Sequence, residues 1–139
     1  MDRPTTTGRR LAGRYRLGAA LGRGGMAEVF DGYDERLARP VAVKILRPEV
    51  SAMPLMRERF EREARAAARL SHPNVVSVFD TGDDGGSAFL VMERLPGKTL
   101  VQIPSPVEQE WVARIGLDVL GALEAAHSLG MVHRDIKPG

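Results

Sequence analysis

The stretch that most limits how this chain can fold is LGRGGMAEVF, residues 21–30. Three glycines fall within positions 22–25, and the residues after them alternate with a period of two, which predicts a β-strand. Glycines this dense can serve an ordinary hairpin turn, or they can bring backbone N–H groups close to an anion such as phosphate. The stretch therefore predicts a strand–loop–strand unit and leaves both uses of its loop open.

The segment after the loop excludes two phosphate-binding architectures. In a dinucleotide-binding fold the glycines open a helix, and in a P-loop a Gly-Lys-Ser or Gly-Lys-Thr follows. Neither pattern applies here: AEVFD has the period of a strand and not of a helix, and no Gly-Lys-Ser or Gly-Lys-Thr follows the glycines. A phosphate bound by this loop would lie beneath a two-stranded flap.

The rest of the chain predicts further strands, two helices and a flexible basic tail over residues 1–13. The strands are predicted at 15–21, 27–32, 39–46, 75–81 and 87–93, and the helices at 55–70 and 106–128. Short polar turns join the first three strands, which predicts an antiparallel meander. Ser105 is the predicted N-cap of the second helix, Pro106 its first residue and Gly130 its C-terminal stop.

Composition excludes several classes of function. The chain has no cysteine, which rules out disulfides, zinc–thiolate sites and thiol catalysis. A net charge of +2 and an aromatic content of 5% give no reason to expect nucleic acid as a partner. There is no signal peptide and no apolar run of about 18 residues, so we expect a cytoplasmic setting and no membrane segment in these residues.

Lys44 and Glu63 are charged residues in apolar surroundings. Lys44 lies in the middle of PVAVKIL, which is too apolar on both faces for a simple edge strand from which a lysine could reach water. Glu63 lies one helical turn from Phe60, at the border of an apolar stripe. Glu63 either pairs locally with Arg59 or Arg62, or it finds a stronger partner such as Lys44. The pattern favours the pairing with Lys44, because burial of an unpaired charge is costly.

The segment HRDIKP, residues 133–138, adds a dense run of charges, which alone would predict only a solvated loop. In order along the chain it follows LGRGGMAEV, VAVK, EREA, LSHPNVV and LVMERLPGKTL. This series resembles the protein kinase family from about Tyr15 to Gly139, and it looks most like the bacterial eukaryotic-type (Hanks-type) serine/threonine kinases.

The resemblance implies an α+β fold in three parts. Residues 14–93 would form a kinase small lobe, with a five-stranded antiparallel sheet and the helix that the family calls αC. Residues 94–139 would carry the hinge and the start of a truncated helical large lobe, with its first helix and the catalytic loop. Residues 1–13 would remain a tail.

The resemblance also implies an ATP site and a catalytic set. Backbone amides of the glycine loop would cover the phosphates, Lys44 would contact the α- and β-phosphates, and Glu63 would hold Lys44. An apolar slot and the hinge backbone would hold the base. The implied nucleotide-binding residues are Leu21, Gly22, Arg23, Gly24, Gly25, Met26, Ala27, Val29, Ala42, Lys44, Met92, Glu93 and Leu95.

In the implied catalytic loop, Asp135 would accept the proton of the substrate hydroxyl and Lys137 would steady the transferring phosphate. A lysine at position 137 favours serine or threonine as the acceptor. Arg134 would clamp a phosphorylated activation loop, and His133 would have a structural role. The catalytic set is therefore Asp135, Lys137, Lys44 and Glu63.

Mg²⁺ is the second implied cofactor, and its main ligands are expected to be absent from these residues. The family pattern continues past Gly139 to a metal-binding asparagine and an Asp-Phe-Gly segment. Ala27 also stands where the loop pattern has a third glycine. We expect phosphoryl transfer by this stretch alone to be slow or absent, and the alternative function is that of a nucleotide-binding or kinase-interacting fragment.

Partners and location follow from the same resemblance. It implies ATP and protein substrates with Ser/Thr hydroxyls, and it makes a homodimer through the small lobe a candidate assembly. It also implies that the intact protein can be tethered by a downstream transmembrane helix.

Overall fold

The computed structural model describes residues 8–139, which divide into two compact units. The first unit runs to Ala68 and includes Ser77–Arg94, and the second consists of Arg69–Val76 and Leu95–Gly139. The predicted small lobe differs from the first unit mainly at residues 69–76, which group with the second unit.

The first unit is built on one antiparallel sheet of six strands, in the order β1-β2-β3-β4-β6-β5. The strands are β1 (Arg10–Leu11), β2 (Tyr15–Arg23), β3 (Ala27–Asp34), β4 (Arg39–Leu46), β5 (Val78–Asp84) and β6 (Ser87–Glu93). The predicted meander is present as β2-β3-β4, and β4 lies inside the sheet between β3 and β6. The predicted strand at 75–81 begins three residues later, at Val78.

The sixth strand, β1, lies in the segment predicted as a flexible tail. Residues 1–7 of that tail lie outside the described residues, but Arg10–Leu11 pairs with β2, and Leu11 is completely buried. Burial of one leucine in the apolar core explains why the chain is ordered here. A strand of two residues has no periodicity, so the sequence pattern could not have predicted it.

The helices of the described residues are α1 (Pro48–Ser51), α2 (Pro54–Ala68) and α3 (Gln109–Ser128), with one 3₁₀ turn at Leu100–Gln102. The predicted helix at 55–70 is confirmed as α2. None of the helices among residues 8–139 is long and apolar enough to cross a membrane.

The helix α3 begins later than predicted. Its N-cap residue is Glu108, with an extended backbone (φ −65°, ψ 138°), so Ser105 and Pro106 are not its cap and first turn. Ser105 and Val107 instead line an apolar cavity of about 230 Å³ beside the first turns of the helix. The prediction was wrong because Ser105 and Val107 belong to an extended segment that lines the cavity, and the helix begins only after Glu108.

Alternation along the strands divides the core into two apolar clusters. Val41, Val43 and Ile45 of β4 lie in a cluster with Phe89 and Val91 of β6, and this side is called the core face. On the opposite side, Ala27, Leu46 and Ala88 pack with Phe60 of α2, and this side is called the helix face. By alternation Lys44 belongs to the helix face, between Ala42 and Leu46.

A buried carboxylate ties the β3–β4 turn to the turn between β1 and β2. Asp34 is 1% exposed, and Arg14 donates two hydrogen bonds to it, from Nε to Oδ1 at 2.9 Å and from Nη2 to Oδ2 at 2.7 Å. Oδ1 also accepts the backbone N–H groups of Arg36 and Leu37. The Arg14 guanidinium lowers the pKa of Asp34 to about 2. Asp34 is therefore ionised and paired at neutral pH.

Candidate functional site

Lys44 lies in a cross-strand row that reaches the glycine loop. Strand pairing sets Gly22 opposite Val29, Val29 opposite Lys44, and Lys44 opposite Leu90. Gly22 is thus two strands from Lys44, or roughly 10 Å at the usual strand spacing. Since both neighbours of β4 are strands, the prediction that Lys44 does not lie on an edge is confirmed.

The next row along the same face contains Asp31, Ala42 and Met92. Asp31 pairs with Ala42, and Ala42 pairs with Met92. Because cross-strand partners point to the same side, Val29, Ala42 and Met92 share a face with Lys44. Four of the sequence-predicted nucleotide-binding residues therefore form one surface of the sheet.

The glycine loop is closed by its own backbone. The N–H of Gly24 donates to the carbonyl of Ala27 at 2.9 Å, and the N–H of Arg47 donates to the carbonyl of Met26 at 3.0 Å. Leu21 and Met26 are exposed, whereas Ala27 points into the cluster with Phe60. The alanine at the third loop position is thus part of the core of the first unit.

Neither packing nor backbone conformation within the chain requires the glycines at positions 22 and 25. A Cβ atom at either position would meet no heavy atom within 4 Å, and neither backbone has a positive φ angle. Open space beside the backbone is what a close approach by an external group needs. This open space is compatible with both uses of the loop, a turn and a phosphate site.

Glu63 is paired within its own helix. Nε of Arg59 donates to its Oε1 at 3.0 Å, and 64% of the Glu63 side chain is exposed. Among residues 8–139, no ion pair joins Glu63 to Lys44. The local alternative left open by the sequence is therefore the one observed, because an i,i+4 partner is available without any movement of the helix.

The predicted hinge starts at the end of β6. Glu93 is the last residue of that strand; its N–H donates to the carbonyl of Ser77, and its carboxylate accepts the N–H of Ser77. The next residue, Arg94, forms an ion pair with Asp31 of β3. Leu95 follows and is 49% exposed. Sequence analysis missed Asp31, although it lies two residues after Val29 in β3 and therefore on the same face of the sheet.

In the second unit, Gly130 turns the chain out of α3 and into the predicted catalytic loop. Its φ is +73°, which glycine adopts at little cost. The N–H of Gly130 bonds to the carbonyl of His127, and that of Met131 bonds to the carbonyl of Ala126. These two bonds define a Schellman cap, so the predicted C-terminal stop is confirmed.

The predicted catalytic loop brings together two of the predicted site residues. Nζ of Lys137 lies 3.0 Å from Oδ2 of Asp135, and both side chains are more than half exposed. The N–H of Asp135 donates to Nδ1 of His133, which gives His133 a role in supporting the loop backbone. Arg134 has a φ of +68°, an unusual conformation for a residue with a side chain.

No group of three or more His, Asp or Glu side chains within the described range 8–139 is arranged to hold a metal ion. The described residues therefore present no ready-made cluster of side chains for a metal ion.

Comparison with known proteins gives consistent matches. The protein kinase domain family matches residues 15–139. A probable serine/threonine-protein kinase of Streptomyces coelicolor is 47% identical over 137 residues, which cover 94% of this chain and 20% of that protein. The serine/threonine-protein kinase PknA of Mycobacterium tuberculosis is 44% identical over 138 residues, covering 93% of this chain and 32% of that protein.

Solved structures match as well. The kinase domain of Mycobacterium tuberculosis PknI, as a C20A mutant, has a TM-score of 0.79 at 33% identity, covering 98% of this chain and 56% of that chain. The chain thus spans about a fifth to a third of the length of the two curated relatives, and about half of the solved kinase domain.

Proposed function

This chain belongs to the protein kinase family, and we propose that the intact protein transfers the γ-phosphoryl group of ATP to serine or threonine hydroxyls of other proteins. The observation that carries the proposal is the row in which Gly22, Val29 and Lys44 pair across three strands. A glycine loop with open space above it and a lysine two strands away on the same sheet meet the needs of a triphosphate.

In the proposed site, the phosphates lie under the loop of residues 22–25, and the Lys44 ammonium contacts their oxygens. Val29, Ala42 and Met92 supply an apolar surface for the base. The backbone of Glu93 and Leu95 would hydrogen-bond the edge of the base. Ala42 and Met92 lie one row further along the strands than Val29 and Lys44, which supports a base end beside a phosphate end.

In the proposed transfer step, the substrate hydroxyl oxygen forms a bond to the γ-phosphorus as the bond to the β,γ-bridging oxygen breaks. Asp135 takes up the hydroxyl proton, and ADP leaves with the bridging oxygen. Lys137 lies close enough to Asp135 to place a positive charge beside the transferring group. Mg²⁺ would neutralise the negative charge of the phosphates. The described residues offer no cluster of side chains to hold it.

Glu63 would hold Lys44 only after it leaves Arg59. The observed ion pair is an exposed i,i+4 pair, a class that contributes about 0.3–0.5 kcal/mol. So weak a local pair is no barrier to exchange of partners. We therefore keep Glu63 as the proposed partner of Lys44 in the nucleotide-bound protein.

Lys44→Met is expected to weaken ATP binding at least about tenfold, since one charge-assisted contact to phosphate is lost while an apolar chain of similar length remains. Isothermal titration calorimetry with ATP measures the change. Arg65→Met is the matched control, because it also removes one positive charge from the first unit, at a side chain on α2 that is 77% exposed. Equal ATP affinity of Lys44→Met and the wild type would refute the proposed site.

Nucleotide binding without transfer is the second candidate function. The observation in its favour is that, among residues 8–139, the Glu63 carboxylate pairs with Arg59 and not with Lys44. It would be supported if the intact wild-type protein bound ATP and failed to label any protein substrate from γ-labelled ATP.

We also propose that a second copy of the chain is a partner, through the small lobe. Sedimentation velocity is expected to report a mass that rises from one copy towards two as the concentration increases. A single-copy mass at every concentration up to that of crystallisation trials would contradict this proposal.

A further inference from the structure

An ion pair crosses the sheet at the edge of the proposed nucleotide surface. Nε of Arg94, the residue directly after β6, donates to Oδ1 of Asp31 in β3 at 2.9 Å. The two side chains are 33% and 47% exposed. Asp31 has no role in the site that the sequence predicts, so this contact needs its own explanation.

The pair joins two strands that are not neighbours. β4 lies between β3 and β6, and the row Asp31–Ala42–Met92 runs across all three. Two strand spacings amount to roughly 10 Å, which an arginine and an aspartate side chain can span together. Ala42, on the strand between β3 and β6, has only a methyl group as its side chain. The side chains of Asp31 and Arg94 therefore have room to meet across β4.

The contact acts on the backbone that the proposed function uses for the base. Arg94 lies between Glu93 and Leu95, and a fixed side chain at position 94 restricts the backbone on both sides of it. We propose that the Arg94–Asp31 ion pair is a tether that positions the hinge backbone for the adenine base, an inference that rests on the proposed function. Arg94 and Asp31 are thus positioning residues and not catalytic ones.

The sheet does not depend on this tether for its stability. The pairs β3–β4 and β4–β6 each have a continuous ladder of paired residues. The two buried clusters are formed around Val43 and Phe60 and include neither Asp31 nor Arg94. A half-exposed ion pair adds little to such a sheet. Its removal should therefore change the hinge locally and leave the fold intact.

The test compares Asp31→Asn, Arg94→Gln and the charge swap Asp31→Arg/Arg94→Asp in the full chain. Each single variant is expected to weaken ATP binding about two- to fivefold in calorimetry, the range that one half-exposed ion pair can supply. Without nucleotide, amide hydrogen exchange of residues 93–97 is expected to be faster in both single variants. The swap is expected to recover part of both effects.

Asp83→Asn is the matched control. Asp83 pairs with Arg57 at 2.7 Å, and the two side chains are 41% and 33% exposed, close to the values of the tether. This pair joins α2 to β5 and does not involve the hinge. Its loss should leave ATP affinity and exchange of residues 93–97 unchanged.

The outcomes separate the tether from the proposed function. If the wild type fails to bind ATP but Asp31→Asn still speeds exchange at 93–97, the proposed function fails and the tether remains as a hinge contact. If the wild type binds ATP and Asp31→Asn changes neither measurement, the tether is wrong. A loss of affinity in Arg94→Gln alone would mean that Arg94 contacts the nucleotide itself, which also overturns the tether.

Discussion

Asp135→Asn in the intact protein is expected to lower the turnover number about a hundred- to ten-thousand-fold, the usual contribution of a positioned general base. The amide keeps the size of the side chain but cannot accept the hydroxyl proton. It also loses the negative charge that now lies 3.0 Å from Lys137. ATP affinity should change little, because the proposed nucleotide contacts are made by other residues.

Transfer of label from γ-labelled ATP to a generic protein substrate measures the effect, and calorimetry measures ATP binding in parallel. Asp118→Asn, an exposed aspartate on α3, is the matched control and should retain full turnover. Turnover of Asp135→Asn within about threefold of the wild type would remove Asp135 from the proposed mechanism.

Asp34→Ala is expected to give the largest loss of stability among the aspartates, about 3 kcal/mol in the free energy of unfolding. The substitution removes the acceptor of two Arg14 bonds and two backbone N–H bonds at a side chain that is 1% exposed. The expected value lies at the lower end for a broken buried pair, since 26% of the Arg14 side chain reaches solvent and can be hydrated.

Urea unfolding followed by circular dichroism measures the loss. Asp83→Ala is the control, because Asp83 has the same 2.7 Å contact to an arginine but is 41% exposed, so its removal should cost less than about 1 kcal/mol. Equal losses in the two variants would show that burial of Asp34 does not strengthen its pair.

The same carboxylate makes stability depend on pH. Its pKa is about 2 in the folded chain against an ordinary value of 3.8, because Arg14 donates to the ionised form. A lowered folded pKa gives stability that is present above the unfolded pKa and is lost as the pH falls through the folded one. The stability difference between the wild type and Asp34→Asn should therefore shrink between about pH 4 and pH 2, and a constant difference would contradict this account.

Local patterns predicted most of the secondary structure. The period of two in RPVAVKIL and the period of the helix around Phe60 depend only on neighbours in the chain, and both elements form as predicted. The predicted start of α3 was wrong, because Ser105 has the chemistry of a cap but lines a cavity with the first turns of the helix and with Pro138.

For the candidate site, the sequence determined which residues carry charge and which faces of the strands they lie on. Alternation alone puts Ala42 and Lys44 on one side of β4, and the order of the motifs is enough to indicate the family. Only the tertiary structure decided that Val29 and Met92 join them, because strand register comes from pairing between distant segments.

The sequence by itself determined most of the elements, the family and the candidate chemistry, all of which depend on residue type and local spacing. The tertiary structure decided which charges meet: Glu63 with Arg59, Asp34 with Arg14, and Asp31 with Arg94. The last two pairs join residues 20 and 63 positions apart, respectively. The periodicity of a single strand or helix carries no information about residues so far apart in the sequence. The partner of each charge is therefore known only once the sheet is assembled.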